Sequence, residues 1–257
     1  MRDALRLTVG TFTRIPVAAP GRVDRRTAAA AMLFAPVITA LLALVVGFGA
    51  QMLHDQSSAS SALTAALSVA ALAYLTRGLH LDGLADTADA LGSGRPAAEA
   101  LVIARKSDIG PFGVVTLVLV LLIQVLAFAG IVEAGQATLG LVIAFGTSRL
   151  TLVITCARGV PAARSDGLGA AVAGSVPVAA TIAAVGVWAA ACIAACLWLA
   201  PGFALPALAG IAAGLIAGAT VLVISIRRLG GITGDVLGAA IEIAFVAALV
   251  ILVALPT

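Results

Sequence analysis

The run Gly78-Leu79-His80-Leu81-Asp82-Gly83-Leu84-Ala85-Asp86-Thr87-Ala88-Asp89 places three carboxylates within eight residues, directly behind an apolar segment long enough to cross a bilayer. On a helix, Asp82, Asp86 and Asp89 fall within about 60° of one another. Two carboxylates roughly 6 Å apart repel by about 3 kcal/mol at an effective dielectric of about 20. Three at a low-dielectric boundary must share protons, pair with arginine or bind a cation. An all-oxygen set completed by water suits Mg²⁺ or Mn²⁺, which makes Asp82, Asp86 and Asp89 candidate metal ligands. The plainer alternative is a hydrogen-bonded helix end with exposed acids. Gly83 permits a bend and lets a phosphate approach the backbone. His80 lies on the opposite face of an unbroken helix. It is a candidate to take a proton from an attacking hydroxyl, and equally a membrane-interface histidine bonded to a carbonyl.

A second acidic block carries Asp235 and Glu242, seven residues apart on one helical stripe. Glu242 should sit about 10 Å inside its span, a depth at which a carboxylate is a functional candidate or the partner of a buried cation such as Arg149. The natural counterparts are basic residues on the same side. Guanidinium groups bind phosphate oxygens through paired hydrogen bonds and stay charged in partly apolar surroundings. Arg14, Arg77, Arg105, Lys106 and Arg149 are best placed for this, whereas positive-inside topology with no ligand explains most of Arg22, Arg25 and Arg26. No phosphate-binding loop ending in Gly-Lys-Ser/Thr, no nucleophile elbow and no Cys-His metal spacing is present. What remains is metal-assisted phosphoryl transfer at a membrane face, where catalysis is mostly positioning and charge neutralisation.

The elements that must hold these groups are membrane helices. A hydrophobic fraction of 62% with only 11% charged residues, and a mean hydropathy of +1.17, exclude an ordinary soluble domain. Runs of about 20 apolar residues recur near 28–53, 61–79, 112–132, 137–156, 178–199, 203–226 and 236–254. Their length favours helices over a barrel, so the expected fold is all-α: a polytopic helical bundle of about seven transmembrane helices, with the site on its cytoplasmic face. Residues 1–257 read as a single membrane domain. Under this span count all 15 basic residues fall on one side, which puts the N-terminus in the cytoplasm and the C-terminus outside the cell (inner) membrane. Residues 1–27 form a cytoplasmic interfacial N-terminus, with Leu5, Val9 and Phe12 as the apolar stripe of a short helix that Pro16 ends. Residues 80–111 form a cytoplasmic acidic loop. Cys156, Cys192 and Cys196 lie within spans and read as packing, not metal binding. Gly210, Gly214 and Gly218 make a small-residue stripe for close helix packing within the chain.

With these residues in place, the chain resembles the cobalamin synthases, the integral membrane adenosylcobinamide-GDP ribazoletransferases. The resemblance runs over most of the length, through Phe12-Thr13-Arg14-Ile15-Pro16, the Gly78-to-Asp86 block, Ile109-Gly110 with Gly113, Ser148-Arg149, Gly167-Leu168-Gly169 and Leu229-to-Glu242. Family members often read Arg-Asp-Ser-Arg-Ile-Gly where this chain has Arg105-Lys106-Ser107-Asp108-Ile109-Gly110, so Asp108 is given no role.

The resemblance implies Mg²⁺-dependent transfer of the phosphocobinamide moiety of adenosylcobinamide-GDP to α-ribazole or α-ribazole 5′-phosphate. The products are GMP and adenosylcobalamin or its 5′-phosphate. In that reading Asp82, Asp86 and Asp89 hold Mg²⁺ on the diphosphate. Arg14, Arg105 and Arg149 neutralise phosphates, while His80 or Asp235 orients or deprotonates the ribose hydroxyl. The partners are these two substrates and the lipid bilayer, without nucleic acid; a homo-oligomer or a complex with other cobalamin-assembly enzymes stays open. The alternatives are a membrane phosphotransferase of the CDP-alcohol type, whose Asp-Gly-x-x-Ala-Arg signature fails here at Asp86, and a cation-coupled transporter using Asp82, Asp86 and Glu242.

Overall fold

The computed structural model describes residues 1–106 and 108–256. They form α1 (Arg2–Phe12), α2 (Arg25–Gln56), α3 (Ser61–Leu75), α4 (Leu79–Gly92), α5 (Ala97–Ile103), α6 (Pro111–Glu133), α7 (Ala137–Thr155), α8 (Gly167–Val172), α9 (Val178–Leu199), a 3₁₀ turn (Pro201–Phe203), α10 (Ala204–Leu229) and α11 (Gly234–Ala254). Helices α2, α6, α7, α9, α10 with its leading turn, and α11 are long and apolar enough to cross a membrane, and α3 with α4 makes a bent seventh pair. The chain is thus an all-helical, multi-pass membrane bundle, as its composition requires.

Local chemistry sets the helix ends. The Asp24 carboxylate accepts the Thr27 amide at 2.8 Å to start α2, and Ser60 accepts that of Leu63 at 3.2 Å to start α3. Pro111 opens α6, and Gly230, in the left-handed region at φ 86°, ends α10. Helices α7 and α11 are buried along most of their length, while α9 lies at the periphery. The glycine stripe of α10 faces inward. A Cβ on Gly210 would meet Leu252, on Gly214 the Ala244 carbonyl, and on Gly218 the Thr151 side chain, so the stripe packs against α11 and α7 of the same chain.

The second hydrophobic run departs from expectation. Instead of continuing to residue 79, α3 stops at Leu75, and α4 leaves it at 90°. The turn passes through Arg77 at φ 59° and Gly78 at φ 65°. Left-handed backbone is unfavourable for arginine, and the guanidinium offsets this by donating to the Gly10 carbonyl at 2.5 Å and the Thr11 carbonyl at 3.1 Å. Residues 80–92 of the expected loop are therefore helical, and α4 lies across the N-terminal ends of α6 and α11. Its fit on α11 is at backbone distance: a Cβ on Gly83 would come within 2.8 Å of the Asp235 carbonyl oxygen, and one on Gly238 within 3.0 Å of the His80 carbonyl oxygen.

Helix α1 also differs in detail. Its inward face is Ala4, Thr8 and Phe12, with the Thr8 hydroxyl donating to the Ala31 carbonyl at 3.0 Å, while Leu5 stays exposed. The small Ala4 and Thr8 allow α1 to approach α2 closely, with Leu7 packed at the edge of the core.

The α4–α11 fit makes a sharp contrast in glycine tolerance. Gly83→Ala should destabilise the protein by about 1–3 kcal/mol through overpacking against the backbone of Asp235. Gly186→Ala in α9, where nothing lies within 4 Å, should be neutral or stabilising by up to about 1 kcal/mol. Thermal unfolding in detergent measures both. Equal effects at the two positions would refute the close approach.

Candidate active site

A cleft of about 360 Å³ opens where α4 crosses the start of α11. Phe12 of α1, His80 and Asp82 of α4, Arg105, the segment Arg164-Ser165-Asp166-Gly167-Leu168-Gly169, and Thr233-Gly234-Asp235 contribute to its walls, all but Ser165 lining it directly. Each arrives by a local device. Thr233 caps α11 by accepting the Val236 amide at 3.2 Å, and its hydroxyl donates to the Asp235 carboxylate at 3.1 Å. The open N-terminus of α11 thereby faces the cleft, where its dipole favours anions. Gly169 sits against the backbone of Thr233, and the Ala163 amide donates to the Ile232 carbonyl at 2.9 Å, so the loop before α8 is pinned to the start of α11.

The charged groups are arranged in layers. Arg105 pairs with Asp166 at 2.5 Å and holds that carboxyl below the usual range by donating to it. Arg164 reaches the Asp235 carboxylate at 3.9 Å and donates to the Leu101 carbonyl at 2.5 Å. Asp82 and Asp86, one helical turn apart, have no hydrogen bond or ion pair among the described residues. Asp86 lines an adjoining depression of about 220 Å³ shared with Lys106 and Asp108. Burial, then repulsion from Asp82, Asp235 and Asp89, push its pKa up to about 6. Arg164 and Asp166 were not singled out from the sequence as site residues. The signal was their position just ahead of Gly167-Leu168-Gly169, but only the fold brings that loop to Asp235.

Asp89 stands apart from the other two acids. Its carboxylate accepts the Gly110 amide at 2.7 Å and the Gly113 amide at 2.9 Å, both at the start of α6. Both oxygens are used in capping a helix, which accounts for an acid only 7% exposed. Among the described residues, no three His, Cys, Asp or Glu side chains converge closely enough to enclose a metal ion. The donor set that remains is Asp82 and Asp86, with Asp235 across the cleft. That set fits Mg²⁺, which keeps several waters and binds through one or two carboxylates together with substrate phosphates.

Behind the cleft lies a buried polar chain. His80 is 3% exposed, stacks on Phe12 at 5.9 Å between ring centroids, and has its Nδ1 3.2 Å from Nη2 of Arg149. A guanidinium only donates, so Nδ1 must accept and the imidazole proton must sit on Nε2. Nε2 has no partner among the described residues. His80 is therefore a hydrogen-bond donor whose Nε2 is buried in the cleft wall, which makes it a poor base in this arrangement. Arg149 is 1% exposed, donates to the Ser148 hydroxyl at 2.8 Å and stacks 3.3 Å over the Phe145 ring. Glu242, also buried, accepts from Gln124 at 2.8 Å. Arg149 and Glu242 border a cavity of about 20 Å³, space for about one water, rather than the cleft.

Other candidates are placed away from the cleft. Arg14 lies 4.3 Å over the Tyr74 ring, and Arg77 caps the carbonyls at the end of α1. Lys106 faces the depression on the far side of Asp86. Gly83 is pressed against α11, leaving no room for a phosphate at its backbone. Of the basic candidates, Arg105 alone lines the cleft.

The chain matches the family described as cobalamin-5-phosphate synthase over residues 4–253. It belongs to that family. It is 38% identical over 253 residues to the adenosylcobinamide-GDP ribazoletransferase of Nocardioides sp., covering 97% of each chain. It is 39% identical over 252 residues to that of Frankia casuarinae, covering 94% and 91%, and 35% identical over 240 residues to that of Bradyrhizobium diazoefficiens, covering 91% and 87%. No solved structure matches the chain. The resemblance drawn from the two acidic blocks thus holds over the full length. In this cobalamin-5-phosphate synthase family member, both blocks meet at one cleft: Asp82 from the first and Asp235 from the second.

The crowding of acids has a pH signature. The folded pKa of Asp86, about 6, exceeds its ordinary 3.8. Its ionisation therefore destabilises the fold, fully so above pH about 6, and stability is recovered as pH falls from about 6 towards 3.8. Without metal, Asp86→Asn should be more stable than the parent at pH 8 by about 1 kcal/mol, allowing for solvent screening of a partly exposed group. The gap should vanish near pH 4. Thermal unfolding with a chelator at both pH values tests this, and a pH-independent gap would overturn it.

Proposed function

We propose that this chain transfers the phosphocobinamide moiety of adenosylcobinamide-GDP to α-ribazole or α-ribazole 5′-phosphate, giving GMP and adenosylcobalamin or its 5′-phosphate. The observation that carries this reading is the meeting of Asp82 and Asp235 in one cleft with Arg105, Arg164 and the N-terminus of α11. That cleft holds acids for a metal and cations for phosphates, as transfer from a diphosphate demands. It has room for a nucleoside and phosphates but not for a corrinoid macrocycle, which would remain outside its mouth.

Asp82 and Asp86 would hold Mg²⁺, with Asp235 across from them. When bound, the ion neutralises diphosphate charge and polarises the phosphorus being attacked. Arg105 and Arg164 bind the phosphate oxygens as the P–O bond to GMP breaks. Asp235, oriented by Thr233, takes the proton of the ribose hydroxyl as its oxygen bonds to phosphorus. His80, held by Arg149 with its proton on Nε2, serves the cleft wall as a donor and not as a base. Arg149 and Glu242 are thus positioning residues, and Asp89 fixes α4 to α6. The positive-inside rule supports a cytoplasmic basic end, with the N-terminus inside and the C-terminus outside the cell membrane.

Protein in nanodiscs supplied with adenosylcobinamide-GDP, α-ribazole and Mg²⁺ should release GMP, and chelation should stop it. Asp82→Ala and Asp86→Ala should each lower turnover by about a hundredfold or more with the protein still folded. His80→Gln, which keeps an N–H at the Nε2 position, should retain more activity than His80→Ala. Full activity in both aspartate variants, or an unaffected chelated enzyme, would defeat the proposal.

A further inference from the structure

On the far side of α8 from the cleft runs a second groove, of about 1010 Å³, between the start of α2, the loop after α7 and the segment leading into α9. Arg25, Arg26 and Arg158 line it, and no acidic residue does. Among the described residues none of these guanidinium groups has a carboxylate within 4.0 Å. The nearest acid in sequence, Asp24, is engaged by the Thr27 amide and by Arg22 at 3.3 Å. Arg25 is held across the groove by its bond to the Ala173 carbonyl at 2.9 Å. The buried Ser175 hydroxyl in the same wall has no hydrogen-bond partner among the described residues.

Positive-inside topology requires basic residues at this end of the bundle but does not require three to converge on a groove without a counter-charge. Nor does it account for the apolar floor. Ala29, Ala30 and Leu33 carry the groove from the arginines down α2 into its spanning part. A small free anion would satisfy the guanidinium groups and leave that floor bare. An anionic phospholipid satisfies both, its phosphate among the arginines and the head of an acyl chain along α2. We propose that this groove is a binding site for one anionic phospholipid of the leaflet at the basic end. The lipid would brace the outer wall of α8, whose Gly169 borders the cleft while Ala170 lines the groove.

Native mass spectrometry from micelles of mixed phosphatidylcholine and phosphatidylglycerol tests this. The parent protein should retain one phosphatidylglycerol in preference to phosphatidylcholine. Affinity should fall about fivefold for each arginine removed in Arg25→Gln, Arg26→Gln and Arg158→Gln, reaching about a hundredfold in the triple variant. Arg227→Gln/Arg228→Gln, exposed at the same end of the bundle, should bind as the parent does. Unchanged retention in the triple variant, an equal loss in the Arg227/Arg228 control, or displacement by inorganic phosphate would each overturn the proposal. Should the triple variant fail to fold by circular dichroism, Arg158→Gln alone, on an exposed loop, decides it through the single fivefold step.

Discussion

Everything at the functional end of this bundle depends on two glycines that let α4 lie directly on α11. Gly83 meets the backbone of Asp235 and Gly238 meets that of His80. Side chains at either position would hold the helices apart, because interhelical distance is set by what stands between the backbones. The contact fixes the two acidic blocks of the sequence against each other, over 150 residues apart along the chain. The sharp turn at Thr76-Arg77-Gly78 is the second requirement, since a straight α3 would have carried His80 and Asp82 past the start of α11. Arginine at 77 keeps that turn in place by tying it to the end of α1, which in turn delivers Phe12 to the face of His80.

A polar chain in an apolar bundle demands a physical reason. Arg149 and Glu242 are both almost fully buried, where an unpaired charge is strongly unfavourable. Neither touches the cleft, so their effect reaches it through His80. An imidazole buried alone in this bundle could hold either tautomer. An obligate donor at Nδ1 leaves one, with its proton on Nε2. The surrounding contacts confine the group further, through the Phe12 ring on one side and the stack of Arg149 on Phe145 beneath. Glu242, bonded to Gln124, supplies the opposing charge for Arg149 across a cavity of about 20 Å³.

The bundle itself was legible in the sequence because hydrophobic length and basic asymmetry report directly on a bilayer. The acidic blocks were legible as chemistry for the same reason: carboxylates are expensive near lipid. What the sequence concealed were partners. Asp89 shares a helix face with Asp82 and Asp86, and periodicity alone groups all three, yet the amides of Gly110 and Gly113 claim it. Arg14, Arg77 and Arg149 have the right charge on the right side, but a tyrosine ring, two carbonyls and an imidazole engage them. Arg164 looked like one more topological charge until the loop before α8 folded onto Ile232 and Thr233. Residue type indicates what a group can do, and only the tertiary contacts tell whether it is already doing something else.

Charge balance at the cleft ties these observations to the proposed reaction. Asp82, Asp166 and Asp235 line the cleft with Arg105 and Arg164, and Asp86, Asp89 and Asp108 line the adjoining depression with Lys106, so with all of them ionised the two together carry three negative charges more than positive ones. Asp166 is neutralised by Arg105 and Asp235 is partly compensated by Arg164, which leaves much of the excess on Asp82 and Asp86. Burial, and behind it repulsion from Asp82, Asp235 and Asp89, raises the pKa of Asp86 to about 6. A diphosphate entering such a site unaccompanied would add to the repulsion, and Arg105 and Arg164 would share their donors between it and the carboxylates of Asp166 and Asp235. In the proposed reaction Asp82 and Asp86 would hold a divalent cation that accompanies the diphosphate, which would offset their charge and leave the arginines to the phosphate oxygens. On that proposal the surplus of acids would suit a site balanced for its loaded state, with burial of Asp86 adding to the strain of the empty one.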